Sequence, residues 1–354
     1  MPQLRWSACW SFLSDFIRTR LTVNIAPHII ANGNWLSMDQ YMELALFDEQ
    51  GGYYNNNIAD IGVRGDFSTS ATISDLLARR LVAQWKQACE ACGRFLPFLE
   101  IGGGNGDLAM GIARSLGFLD RLRVRYLMVD RSRTLRDFQK MACGTFVRVY
   151  STIEEALKYA RGRAFIFSNE LPDAFPARQF VYQGGEWLEL GLSVVEGRII
   201  RVAMHRPLPA STVFERWARE GQIVEVHDSY HLWYAGWQKL WRCGSFVTID
   251  YGEQVDTLYY RRPHGSLRGY KAHQMLSVDD LSAMTGRCDI TADVNFSDLI
   301  NLARECPGDV VQYMSQRDFL KELARPDHPG DQHLIAIPGA GDHFRVLLQH
   351  RFEL

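Results

Sequence analysis

Hydrophobic residues along this chain alternate between two periods. Between about residues 95 and 168, short apolar runs of strand length are separated by stretches whose apolar residues recur every three or four positions. The strand-like runs are Phe95 to Ile101, Val124 to Asp130, Thr145 to Tyr150 and Ala164 to Ser168. Between them the spacing predicts a helix from about 107 (Leu108, Ile112 and Leu116), another near Thr134 to Met141 and a third over Ile153 to Ala160. Such alternation builds a parallel sheet with right-handed crossovers, so the fold class expected is α/β with a Rossmann-like sheet.

The flanks read differently. Trp10, Phe12, Leu13 and Phe16 suit an amphipathic helix. Ser37 is placed to cap a helix over Met38 to Phe47, Gly51-Gly-Tyr-Tyr54 ends it, Asn55 to Asn57 reads as loop, and a further helix runs through Ile73, Leu76, Leu77 and Leu81. From Gln179 to about Arg206, alternating runs broken by Gly184-Gly185, Gly191 and Glu196-Gly197 predict β-hairpins. Helical patterns follow at Ser211 to Glu220 and His231 to Leu240, the second carrying Trp233, Tyr234 and Trp237, with Trp241 just beyond; core packing is the expected use of these rings, a substrate wall the rival. The sheet resumes at Ser245 to Gly252, with Gly265 to His273 as a polar loop and a helix from Ser297. Leu334 to Pro338 and Phe344 to Gln349 flank Gly339 to Asp342, which predicts a closing hairpin and an antiparallel last strand. The division expected is a helical extension over 1–94, a sheet domain over 95–178 and 244–354, and an inserted cap over 179–243.

Composition narrows the classes. Of 354 residues, 47% are apolar and 23% charged, the balance of a globular chain with a sizeable core. A formal net charge of −2 gives no global attraction to nucleic acid or to an anionic membrane, and Arg261, Arg262, Arg268 and Lys271 form the densest local basic group. Cys89 and Cys92 make a lone C-x-x-C without a second pair or a His cluster, so neither a disulfide framework nor a metal site is expected. No apolar stretch approaches the ~20 residues of a membrane span. A bacterial cytoplasm is the default compartment, with the mitochondrial matrix the alternative because Asp15 is the sole acid against Arg5, Arg18 and Arg20 in the opening segment.

The chemistry concentrates where strands end, because ligands of such sheets bind beyond the carboxyl ends of the strands. The first run ends Glu100-Ile-Gly102-Gly-Gly104-Asn-Gly106, and the second ends at Asp130, roughly 20 residues past the glycines, where such folds hold ribose hydroxyls. No Gly-Lys-Ser/Thr follows the glycines, and the Glu-led loop looks more like S-adenosylmethionine (SAM) binding than dinucleotide binding. The fourth run is followed by Asn169-Glu170-Leu-Pro-Asp173, and the resumed sheet ends at Asp250. A loop carrying Gly62, Gly65, Asp66, Ser68 and Thr69 offers N–H and hydroxyl groups to a bound group, or caps the next helix.

Together these motifs resemble one family, the MidA-like SAM-dependent methyltransferases, which includes a mitochondrial arginine methyltransferase that assists respiratory complex I assembly. The matching stretches are Met42-Glu-Leu-Ala-Leu-Phe with Gly51-Gly-Tyr-Tyr, Gly62-x-x-Gly-Asp-Phe-x-Thr-Ser, Glu100-Ile-Gly-Gly-Gly-Asn-Gly, Asn169-Glu-x-x-Asp-Ala-x-Pro, Ile249-Asp-Tyr-Gly and Thr291-Ala-x-Val-x-Phe. The chain departs from the family at Gly103, where Pro is usual, at Asp130, commonly Glu, and at Asp293 and Asn295, which stand for His and Asp. The resemblance implies a class I methyltransferase sheet and methyl transfer from SAM to an arginine of a partner protein. It implies cofactor contacts by Gly65, Asp66, Thr69, Glu100, Gly102, Gly104, Gly106, Asp130 and Asn169. Glu170, Asp173 and Asp250 are then the carboxylates expected to hold and orient a guanidinium. The rivals are methylation of a small molecule or another side chain, and a SAM-binding assembly protein without turnover.

Overall fold

The computed structural model describes residues 23–57, 73–271, 274–306 and 308–352. The amphipathic segment at Trp10 to Phe16 and the loop with Gly65, Asp66 and Thr69 lie outside the described residues. Seven strands form the main path of the central sheet: β1 (Phe98–Ile101), β2 (Tyr126–Val129), β3 (Val147–Tyr150), β4 (Arg163–Asn169), β5 (Cys243–Glu253), β6 (Val310–Ser315) and β7 (Phe344–Arg351). Their order is β6-β7-β5-β4-β1-β2-β3, with Val294–Asn295 added beside β5. Strands β1 to β5 run parallel to their neighbours, and β7 lies antiparallel between β5 and β6. This is the mostly parallel sheet of a class I methyltransferase fold.

Period-two alternation puts two cores on the sheet's two faces. Phe98, Tyr126, Met128, Phe165 and Phe167 face a layer of helices that includes Leu76–Ala91 and Asp107–Ser115. Leu99, Ile101, Leu127, Val129 and Ile166 face the opposite layer, which includes Ile153–Tyr159, Asp228–Trp237 and Phe296–Arg304. Burial on both faces is why these strands read as continuous apolar runs. Trp85 ties the first layer to the sheet: its ring stacks 5.0 Å from Phe98 and its indole N–H donates to the Leu96 carbonyl at 2.9 Å.

Between β4 and β5 the chain leaves the sheet. Arg178–Gln183, Glu186–Val195, Arg198–Met204 and Ile223–Val226 form an antiparallel sheet, completed at one edge by Leu36–Ser37 of the N-terminal region. The aromatic helix Asp228–Trp237 does not join this cap. Tyr234, Trp237 and Trp241 gather around Phe246 of β5 and serve as core, while Trp233 packs on Phe175 at 5.2 Å.

Four expectations are corrected. The closing hairpin pairs β6 with β7, not Leu334 to Pro338, because Pro329–Leu334 and Ala340–His343 are helical and only one side of that segment meets the core: Leu334 is buried and Ile337 is 60% exposed. The polar loop contains a strand, Arg268–Lys271, paired with Gln274–Leu276 and Asp289–Thr291. The helix expected over Ser211 to Glu220 shrinks to Val213–Arg216, since Val213 and Trp217 are its only buried residues and Asp298 draws Ser211 and Thr212 into hydrogen bonds. The Asn55 to Asn57 run also belongs to a π-helical turn, Tyr53–Asn57.

Replacing Trp85 by Ala is expected to cost about 3–5 kcal/mol, since it empties a buried aromatic site, and Trp85→Phe only about 1–3 kcal/mol for the Leu96 carbonyl left bare. Urea unfolding of both variants checks this; equal losses would refute the division between packing and hydrogen bonding.

Candidate functional site

The carboxyl ends of β1, β2 and β4 part around a cavity of about 480 Å³. Its floor is the turn after β1, where Gly102 (φ +70) and Gly106 (φ +89) adopt left-handed backbone. A Cβ on Gly106 would stand 2.5 Å from Cys143 Sγ, and one on Gly102 2.7 Å from Leu171 Cδ1, so conformation and space both call for glycine. The turn leads straight into the helix Asp107–Ser115. At Gly103 a Cβ would meet the end of Met128 at 2.8 Å, which fits glycine in place of the proline usual in the family.

Two acids face the cavity beside this turn. Glu100 is buried, accepts from the Tyr126 hydroxyl at 2.7 Å, and is pushed up to about 7 by burial. Asp130 accepts from the Ser132 N–H at 2.9 Å and from Gln139 Nε2 at 3.0 Å; burial raises it to about 6 against the pull of those partners. Gln139 also donates to the Gly104 carbonyl at 3.0 Å and so locks the acid to the glycine turn.

The third set of groups follows β4. Glu170 holds a left-handed backbone (φ +54), uncommon for a residue with a side chain, and its N–H donates to the Ile249 carbonyl of β5 at 2.9 Å. Its carboxylate accepts from Asn169 Nδ2 at 3.0 Å and from the Tyr251 hydroxyl at 3.3 Å. Asn169 Oδ1 is buried in the cavity wall with no hydrogen-bond partner among the described residues. Asp173 and Asp250 sit behind this wall and do not line the cavity. Asp250 Oδ2 accepts from the Asp173 N–H at 3.0 Å and Oδ1 from the Tyr251 N–H at 2.7 Å. Burial first holds both acids well above the usual carboxylate range, with repulsion from Asp289 and Glu170 next for Asp173 and from Asp173 next for Asp250.

Of the residues singled out in the sequence, Glu100, Gly102, Gly104, Asp130, Asn169 and Glu170 line one cavity. Gly106 supports its floor, and Asp173 and Asp250 support its wall. Sequence reasoning missed Gln139 and Arg131; Phe47, Tyr54 and Phe175 lay in motifs already quoted, and Trp233 lines the cavity as the wall reading of the aromatic helix allowed. Arg131 pairs with Glu43 at 2.5 Å and lies 4.0 Å over the Phe47 ring, fastening the N-terminal helix Met38–Phe47 to the cavity rim. The Tyr251 hydroxyl leads from Glu170 to a second cavity of about 420 Å³, lined in part by Tyr251, Arg262, Arg268, Tyr270, Asp293 and His343. There Asp293 binds Arg268 at 2.6 Å and Arg262 at 3.0 Å, so the basic group expected at 261–271 is partly neutralised. No cluster of metal-ligating side chains occurs among the described residues, and no helix among them is long and apolar enough to cross a membrane.

A glycine turn open to a ligand, an acid at the end of β2 and an unpartnered buried amide oxygen fit a nucleoside with an amino-acid arm, which is the make-up of SAM. Comparison with known proteins agrees. A crystal structure of a COG1565 superfamily member from Burkholderia thailandensis, bound to S-adenosyl-homocysteine, superposes with a TM-score of 0.79 at 26% identity, covering 92% of this chain and 90% of that one. The native crystal structure of an uncharacterized COG1565 superfamily protein from the same organism gives 0.76, with the same identity and coverage. A search of curated protein sequences finds no match. Residues 76–314 match the S-adenosyl-L-methionine-dependent methyltransferase family across more than half of the chain, and the protein belongs to that family, with SAM as its cofactor.

Proposed function

We propose that the protein methylates an arginine of a partner protein, of the respiratory-assembly kind that the resemblance to MidA-like enzymes implies. The observation that carries this reading is Glu170, an acid on strained backbone that lines the cofactor cavity and accepts from the hydroxyl of Tyr251, a residue of the second cavity's wall. SAM supplies an already activated methyl group, so the chain's own task is alignment and charge.

An arginine is protonated throughout the working pH range and is a poor nucleophile. Glu170, in the wall of the cofactor cavity, would grip the guanidinium and orient one nitrogen toward the cofactor. Behind it burial, with repulsion from neighbouring acids, holds Asp173 and Asp250 well above the usual carboxylate range and disfavours their charged forms. A guanidinium gripped by Glu170 in front of them would favour their ionised forms, and Glu170 can take up the proton released as the nitrogen is methylated. Asp250 acts as a positioning residue, since its two oxygens hold the backbone of Asp173 and Tyr251. Asn169 Oδ1 suits the ammonium of the cofactor's amino-acid arm, and Asp130 suits its ribose hydroxyls. Gly65, Asp66 and Thr69, outside the described residues, are proposed to contribute to the cofactor side.

A second reading has its own support. Asp293 with Arg262 and Arg268 makes the second cavity's wall an ion-paired surface, which suits an acceptor carrying a carboxylate, such as a small amino acid.

Gly104 lines the cavity at φ +53, and Gly104→Val is expected to abolish SAM binding in calorimetric titration; unchanged affinity would remove the turn from the cofactor site. Glu170→Gln is expected to lower turnover by about a hundredfold or more while SAM affinity stays within a few-fold. Retained turnover would sink the clamp role. Radiolabelled-methyl transfer into cell proteins, followed by amino-acid analysis, identifies the acceptor: methylarginine supports the proposal, a labelled small molecule supports the second reading, and binding without transfer leaves an assembly protein. Ionised Asp130 accepts ribose hydroxyls better than the neutral acid, so SAM affinity should rise with pH through about 6 and level off above it. Asp130→Asn should flatten that profile, and a slope that survives it would assign the titration elsewhere.

A further inference from the structure

The opposite end of the sheet carries a feature that methyl transfer leaves unused. Where β1, β2 and β4 begin lies a cavity of about 690 Å³ whose walls carry Arg94, Arg123, Arg125, Arg161 and Arg163 and no acidic residue. The helices Leu76–Ala91, Phe118–Arg123 and Ile153–Tyr159 end at or next to this cavity, and arginines commonly complement such carboxyl ends. Three ends at about half a negative charge each offset roughly one and a half of the positive charges, and Arg94 and Arg163 have interactions of their own, so the basic character rests on Arg123, Arg125 and Arg161.

The short helix Phe118–Arg123 beside it is turned inside out. None of its residues is buried, and Phe118, Leu119 and Leu122 are 76%, 71% and 69% exposed. At helical spacing these three share one face, flanked by Arg121 and Arg123, while Asp120 turns to Lys86 at 3.5 Å. Apolar side chains thus protrude next to arginines.

We propose that this end of the molecule docks on an anionic lipid bilayer. Protruding Phe and Leu side chains enter the boundary between headgroups and acyl chains, and the arginines above them meet lipid phosphates, the arrangement of an interfacial helix. A single-stranded nucleic acid fits less well, because it needs open ring faces for stacking and the cavity's two rings are covered: Phe95 by Arg123 at 5.0 Å, and Tyr159 by Arg148 at 4.7 Å and Arg125 at 5.7 Å. Docked in this way, the molecule turns its cofactor cavity away from the bilayer. The inference stands independently of which acceptor is methylated.

The test is sedimentation of the full chain with vesicles of phosphatidylcholine alone or mixed with phosphatidylglycerol. Binding is expected to the mixed vesicles only, weakening as salt rises. Leu119→Ser with Leu122→Ser, and separately Arg123→Ala with Arg125→Ala, are each expected to weaken it on the order of tenfold. All these side chains are remote from the cofactor cavity, so unchanged SAM binding certifies that the variants fold. Failure of the parent protein to bind mixed vesicles, or binding that neither pair of substitutions alters, overturns the proposal. Capture by an acidic peptide without vesicle binding also overturns it and assigns the surface to a protein partner.

Discussion

Everything in this structure depends on the parallel strands being buried on both faces. Phe98 and Phe165 on one side and Leu99 and Ile166 on the other leave no polar surface along the strands. Polar chemistry is therefore driven to the strand ends. There the carboxyl-terminal ends of β1 and β5 and the residues just after β2 and β4 bring Glu100, Asp250, Asp130 and Glu170 close to one another from positions far apart in the chain. The same burial then acts on Glu100, Asp130 and Asp250, whose surroundings disfavour the charged form.

The two ends of the sheet differ in how they handle that constraint. At the carboxyl end, acids outnumber bases and glycines clear space, which suits a cationic cofactor and a cationic acceptor. At the amino end, three helices finish with their carboxyl ends beside one cavity, and arginines accumulate. A net charge of −2 is thus the sum of two opposed poles and describes neither.

Much of this was legible in the order of residues, for a physical reason. Strands buried on both sides are continuous apolar runs, and β1, β2 and β4 were read within a few residues of their observed bounds. β6 escaped because it is an edge strand: Val310 is 47% exposed, Gln312 faces solvent, and the pattern resembles loop. Glu170, Asn169 and the glycines were found because they abut such runs. That Asp173 and Asp250 would stand behind the wall rather than in it was not legible, because burial of a side chain depends on what packs against it. The arginine cavity was invisible for a similar reason: its residues come from three separate turns, whereas the contiguous basic group at 261–271 caught attention and is partly spent on Asp293.

The segment around Phe47 and Tyr54 has a consequence for what counts as the working unit. Both rings line the cofactor cavity, and Ser132 and Thr134, where the helix after β2 begins, donate hydroxyl hydrogen bonds to the carbonyls of Tyr54 and Asn55 at 2.7 and 2.6 Å. The family match starts only at residue 76, and β7 lies beyond its end at 314. The stretch that sequence similarity delimits is therefore smaller than the stretch that physics requires. An excised 76–314 fragment would lack one wall of its own pocket and the strand that separates β5 from β6. Inheritance and mechanical completeness have different borders in this molecule.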